Sequence, residues 1–491
     1  MLLRHSLLYF VGRGVPGVIG FFTLAVYTRL LPPELYGRYV LVLAGVSLAT
    51  AVLFQWLRLG LLRFLPAYGD QPGPLLATLL RGYGAMAGLG LVLAGLALVL
   101  APDPTWRGLI LLALPLLWVQ GWFDLNLNLM QSQLAPTRYG VLMLVKAVLA
   151  LTCGTGLILL GFGAAGPLLA LILAMLLPGL VSAWTVWWGL GWPRPAPGLA
   201  RQLLAYGLPL TATVALNFVI ASSDRFLVAW FLGTEAAGTY AAGYDLGWLA
   251  VTSLMLIVNL AGYPLVIRAM EGAGPAAAQV QLRQNGLLLV AVALPTLAFV
   301  VMLAPNIARV VLGAPFRADG ARLLPWIALA AFLAGARLYY ANLAFQLSRR
   351  TLGQLWVSLA AALLNLGLNG LWIPRFGLLG AAWATLAAYG LALILGWWLG
   401  RRVFPLPMLP ADALKPLGAT LAMALALWPC HAWLGPLALA AQIGLGVLAY
   451  ALALGLLDLI FGRGRLLRLL RQGAQSPAVP GQVAERGPNP V

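Results

Sequence analysis

The chain has 491 residues, of which 62% are hydrophobic and only 9% charged, against about 25% charged in a soluble globular domain. Together with a mean hydropathy of +0.94, this excludes a soluble enzyme, a disordered chain and a disulfide scaffold, and describes an all-α polytopic membrane protein. The formal charge of +18 comes from 30 Lys and Arg against 12 Asp and Glu; most of the cations lie in short connections between apolar stretches, so they read as topology signals rather than as a nucleic-acid surface.

The N-terminal MLLRHS does not read as a signal peptide. Arg13 interrupts the apolar run behind it and no small-residue cleavage site precedes Tyr27, so the first span is expected to stay. About fourteen apolar stretches follow in chain order, near 8–31, 36–57, 77–101, 108–131, 138–160, 165–190, 203–232, 236–267, 284–304, 323–346, 352–374, 378–400, 413–433 and 436–461. Each is long enough to cross roughly 30 Å of hydrocarbon. With the N-terminus inside, nineteen Arg and Lys fall in inner connections and seven in outer ones. Both termini are therefore expected in the cytoplasm, with the chain in the cytoplasmic (inner) membrane.

The fourth span carries a polar stripe. Gln120, Asp124, Asn128 and Gln131 recur on one helical face. Such a stripe suits a wet lumen contacting sugar hydroxyls, or else interhelix hydrogen bonds. The eleventh span repeats the pattern with Ser358, Asn365 and Asn369. Eight ionisable residues fall within spans: Arg13, Asp124, Lys146, Asp224, Arg225, Asp245, Arg337 and Asp458. Each costs about 2.5–3.5 kcal/mol near a helix centre, so each is expected to face protein or a cavity. Arg13, Lys146 and Arg337 are the cations of the inner half and form the expected site for an anionic headgroup; pairing with carboxylates such as Asp124 is the structural alternative. Asp224 and Arg225 are adjacent on one helix, about 100° apart, so one is expected to line a cavity and the other to bond a neighbouring helix. Tyr240, Tyr244 and Trp248 share a face and are expected to pack. Asp458 is expected to be locally paired or to snorkel.

A weak internal repeat pairs LPPELYGRY (31–39) with LGTEAAGTY (232–240), and GFGAAGPLLA (161–170) with RFGLLGAAWA (375–384). A repeat unit of six spans gives two lobes entering the membrane the same way, related by a pseudo-two-fold axis along its normal. The expected division is an N-terminal six-helix lobe over 1–192, a second over 193–403, two added helices over 404–461, and a basic interfacial segment with a disordered tail over 462–491. No catalytic constellation, Walker loop or metal-ligand cluster is visible in the sequence, so a transporter without cofactor is expected.

Three stretches, YTRLLPPELYGRYVLVLAGVS, YGLPL…SSDRFLVAWFLGTEAAGTYAAGYDL (206–246) and LLNLGLNGLWIPRFGLLGAAWATLAAYG (363–390), resemble Wzx-type polysaccharide flippases of the multidrug/oligosaccharidyl-lipid/polysaccharide exporter superfamily. The resemblance implies two six-helix lobes around a central cavity. It implies flipping of an undecaprenyl-diphosphate-linked oligosaccharide. From the charges and polar stripes themselves, Arg13, Lys146 and Arg337 are expected on the diphosphate and Gln120, Asp124, Asn128, Asp224, Arg225, Asn365 and Asn369 around the glycan path. The expected partners are that lipid-linked glycan, membrane lipids and other polysaccharide-assembly membrane proteins, with H⁺ or Na⁺ as a coupling ion. The last two helices are like those of lipid II flippases. A lipid II flippase, a multidrug antiporter of the same superfamily, and a membrane glycan polymerase or ligase are the alternatives; short outer connections weigh against the last.

Overall fold

The computed structural model describes residues 2–68, 71–101, 103–133, 135–187, 197–348, 350, 352–408 and 411–462, without the side chains of 2–13, 181–186 and 461–462. The expected basic helix and tail after residue 462, and the side chain of Arg13, lie outside the described residues. The described chain is helical, with no strand among the described residues. Eleven of its helices are long and apolar enough to cross a membrane, and two further apolar stretches, Gly14–Leu30 and Ala165–Leu180, are shorter. The protein is a multi-pass membrane protein.

The N-terminal helices are α1 (Leu2–Leu30), α2 (Pro33–Leu53), α3 (Gln55–Tyr68), α4 (Gly73–Leu100), α5 (Pro104–Ser132), α6 (Pro136–Leu159) and α7 (Ala165–Val186). Proline opens several of them at the first turn, where its missing N–H costs nothing. Asp103 caps α5 by accepting from the Trp106 N–H at 2.9 Å. α3 departs from the expected inner connection: Phe54 interrupts α2, and the Leu- and Arg-containing stretch behind it continues as a helix bearing Arg58 and Arg63.

The second set is α8 (Leu199–Leu232), α9 (Thr234–Met302), α10 (Ala304–Val311), α11 (Arg317–Ala336), a π-turn at Arg337–Ala341, α12 (Leu343–Leu347), α13 (Leu352–Phe376) and α14 (Leu378–Val403), followed by α15 (Leu414–Leu427) and α16 (Pro436–Gly462). α9 covers two expected spans as two helices that follow one another across a kink. The connection expected at 268–283 is instead helical, because its Ala-, Gln- and Arg-rich residues are strong helix formers. Gly274, at φ 80° and followed by Pro275, breaks the run between the two spans.

The two sets pack in the same order. α1 lies on α6, α6 on α7 and α5 on α7; correspondingly α8 lies on α13, α13 on α14 and α11 on α14. Across the middle, α2 meets α9, α3 meets α8 and α1 meets α9. α15 and α16 pair with each other and lean on α9 and α10. The Lys415 ammonium binds Asp458 at 3.1 Å and Asp412 at 2.6 Å, and Asn306 donates to the Gln442 carbonyl oxygen at 2.7 Å.

Candidate functional site

A cavity of about 440 Å³ lies between the two sets of helices. Its walls include Thr23 and Tyr27 of α1, Tyr36 and Tyr39 of α2, Lys146 of α6, and Asp245 and Trp248 of α9. The aromatic wall follows from the sequence around the first hairpin. α1 and α2 turn back on each other at Pro32–Pro33, which brings Tyr27 to 6.0 Å from Tyr39, ring centre to ring centre. The Tyr27 hydroxyl donates to the Ala150 carbonyl at 2.5 Å and so fastens α1 to α6.

Two ionisable groups line this cavity. Lys146 sits 5.2 Å from the centre of the Phe123 ring and makes no ion pair among the described residues. Asp245, on the opposite lobe, holds the Arg225 guanidinium at 2.5 Å. Arg225 also lies over the Tyr244 ring, which stacks on Trp248, and Trp248 in turn packs against Tyr389 of α14. The pocket therefore presents one cation without an ion-pair partner among the described residues, the carboxylate of an ion pair and an aromatic surface. That combination suits a ligand with an anionic group and a ring face, because a partly desolvated ammonium attracts anions more strongly than one in water.

Asp224 and Arg225 divide as adjacent helical residues must. Asp224 is fully buried; it accepts from the Tyr240 hydroxyl at 2.6 Å, the Thr385 hydroxyl at 3.2 Å and the Arg225 N–H at 2.9 Å, tying α8 to α9 and α14. Arg225 turns toward Asp245, which lines the cavity; neither Asp224 nor Arg225 is itself among the lining residues. The expected packing role of Tyr240 and Tyr244 agrees with their burial, whereas Trp248 is both packed and cavity-lining.

The remaining expected site residues lie elsewhere. Asp124 pairs with Arg58 of α3 at 3.1 Å, and Asn128 donates back to the Asp124 carbonyl at 2.7 Å. Gln120 keeps a buried amide oxygen without a hydrogen-bond partner. None of these residues of α5 lines the cavity itself, although Lys146 of its wall lies over Phe123 of the same helix. Asn365 and Asn369 are fully buried between helices; Asn369 donates to Asn365, which also accepts from Ser223 of α8 at 3.1 Å. Arg337 is 5% exposed on the π-turn, and donates to Asn217 at 2.7 Å and Ser358 at 3.4 Å. Its Nε has no partner, and no carboxylate pairs with it among the described residues.

Of the expected cationic set, Lys146 lines the cavity and Arg337 does not, while the side chain of Arg13 lies outside the described residues. Asp245, singled out as an intramembrane charge but not among the expected site residues, and the tyrosines of the first hairpin complete the cavity wall. Asp245, Trp248 and Leu249, spaced i, i+3 and i+4, form one helical face that marks them together. Among the described residues no group of three or more His, Cys, Asp or Glu could hold a metal ion.

A family model described as "Polysaccharide biosynthesis protein" matches residues 74–318. No curated protein sequence matches the chain. Among solved structures, the lipid II flippase MurJ in an inward closed conformation is similar with a TM-score of 0.73 at 13% identity, covering 92% of this chain and 99% of that one. An inward-facing multidrug resistance MATE transporter of the MOP superfamily is similar with a TM-score of 0.62 at 15% identity, over 80% of this chain and 97% of that one. A MOP superfamily transporter from Pyrococcus furiosus gives 0.56 at 16% identity, over 82% and 94%.

Proposed function

We infer that this chain, a member of a polysaccharide-flippase-type family, carries an undecaprenyl-diphosphate-linked oligosaccharide from the cytoplasmic to the outer leaflet of the inner membrane by alternating access. The match over residues 74–318 and the fold held in common with MurJ and MATE transporters support a transporter of this superfamily. The observation that carries the finer reading is Lys146, an ammonium with no ion-pair partner among the described residues, facing an aromatic cavity between the two lobes.

A diphosphate brings about two negative charges that must lose water to enter such a cavity. Lys146 meets them as a point charge. Arg225 is already neutralised by Asp245, so it keeps the opposite wall from adding a second cation and binding too tightly to release. The volume of about 440 Å³ lies within the roughly 300–1,000 Å³ of a small-ligand site. It suits a diphosphate with its first sugars, the aromatic rings offering stacking faces; a longer glycan needs the lobes further apart. The polyprenyl tail stays in lipid. In this proposal Arg13 and Arg337 belong to the same cationic path at other stages, and an H⁺ or Na⁺ gradient supplies the drive.

Binding of a short-chain polyprenyl-diphosphate disaccharide to the purified protein tests the reading. Lys146→Gln is expected to weaken binding at least tenfold with little change in melting temperature, while Lys146→Arg retains most of it. Unchanged affinity in Lys146→Gln would remove Lys146 from the site.

A further inference from the structure

We propose that Gly37 and Gly238 form a paired steric gate, closing one end of the cavity by backbone-to-backbone contact that only glycine allows at both positions. The two residues are equivalents in the internal repeat, each sixth after the shared Leu31 and Leu232, in LPPELYGRY and LGTEAAGTY. They also touch each other across the lobe boundary. A Cβ on Gly37 would run into the Thr234 carbonyl and come 3.1 Å from the Gly238 nitrogen; a Cβ on Gly238 would run into the Pro33 carbonyl and come 2.7 Å from the Gly37 nitrogen. The obstructing atoms are backbone, which cannot swing aside as a side chain can.

The neighbourhood makes this contact a closure and not an isolated crossing. Tyr36 and Tyr39, on either side of Gly37, line the cavity. At the same end, Gly313 packs against the Thr28 carbonyl, its N–H donates to the Thr28 hydroxyl at 3.2 Å, and Arg29 donates to the Val310 and Val311 carbonyls. The far end pairs glycine with bulky residues instead of with glycine: a Cβ on Gly60 would come 2.6 Å from Leu203 Cδ2, and one on Gly207 would come 2.7 Å from the Cβ and 2.9 Å from the Cα of Trp56. From Gly207 to Leu232 the helix α8 spans about 38 Å at 1.5 Å per residue, so the two contacts stand at opposite ends of the lobe interface. The contact around Gly37 and Gly238 is thus a tight, symmetric seal that must part for the cavity to open on that side. Anything that enlarges either glycine disfavours the sealed state while leaving the unsealed state free, and so shifts the population toward opening.

The inference rests on the two-lobe alternating-access reading but not on the identity of the substrate, and the test needs no substrate. Spin labels at the exposed, repeat-equivalent positions Glu34→Cys and Glu235→Cys, in full-length protein lacking Cys153 and Cys430 and reconstituted in liposomes, report the separation of the seal. The parent is expected to give a short-distance population. Gly37→Ala and Gly238→Ala should each raise the long-distance population several-fold. The double variant should go little further than either single, because both disturb one contact. Gly367→Ala, with open space around its Cβ position, should leave the distances alone. Folded alanine variants with the parent's distances would overturn the gate. A second measurement uses glycine at both sites. Cross-linking the same two cysteines with a short reagent should slow modification of Ala147→Cys, in the cavity wall, by an impermeant maleimide from that face at least tenfold. An unchanged rate would equally overturn the gate. A seal that opens on alanine substitution in a protein that does not move lipid-linked glycans would retain the gate and reject the substrate.

Discussion

Arg58 and Asp124 illustrate what one-dimensional reading leaves out. Asp124 stood out in the sequence as a carboxylate on a polar helical face, and pairing with a cation was the structural alternative to a lumenal role. Its partner was hidden, because the stretch holding Arg58 and Arg63 has the cation content of a connection, and a contact 66 positions away is a tertiary fact. Both side chains are partly buried, at 26% and 20% exposure. The pair should therefore fall between an exposed and a fully buried bridge, at about 1–3 kcal/mol. Arg58→Ala and Asp124→Asn, measured singly and together by thermal or denaturant unfolding, should show coupling of that size; additive losses would mean that the two groups do not depend on each other. The split between Asp224 and Arg225, by contrast, was legible from the 100° helical step alone. Which partner each would take was not, because that depends on Tyr240, Thr385 and Asp245 arriving from other parts of the chain.

At the scale of elements, hydropathy located nearly every helix, since a span must satisfy its own backbone in hydrocarbon and only a long apolar helix does so. It failed where helices continue past the apolar run. α9 crosses its expected connection as two successive helices kinked at Gly274, and α3 extends beyond α2. Within the added pair α15 and α16, Lys415 bonds Asp458 inside an otherwise apolar interface. Lys415 is 7% exposed and Asp458 fully buried. Removing Lys415 alone leaves a buried carboxylate with one counter-charge fewer, and Lys415→Met should cost about 3–5 kcal/mol. The double variant Lys415→Met, Asp458→Leu should recover most of that loss, as buried ion pairs replaced by apolar side chains often do. Protease protection of residues 411–462 reads the outcome; a double variant as labile as the single would mean that Asp458 is held mainly by other contacts.

At the scale of the molecule, the repeat detected in two short sequence matches corresponds to helices packed in the same order within each set, with the equivalent glycines 37 and 238 meeting where the sets join. The helical class was readable in the sequence because composition carries it. The cavity was only partly readable. Lys146 was identified from its charge in an apolar span, whereas the aromatic wall was not, since tyrosines near span ends also serve as interface anchors. In the proposed function the cavity passes a lipid-linked diphosphate glycan from one leaflet to the other. The most direct test of that passage is translocation in proteoliposomes of a fluorescent polyprenyl-diphosphate oligosaccharide, followed by quenching from outside, with and without an imposed H⁺ or Na⁺ gradient. The expected result is protein-dependent transfer between leaflets, lost in Lys146→Gln and retained in Lys146→Arg. Proteoliposomes that export a cationic dye but leave the diphosphate lipid in its original leaflet would contradict it.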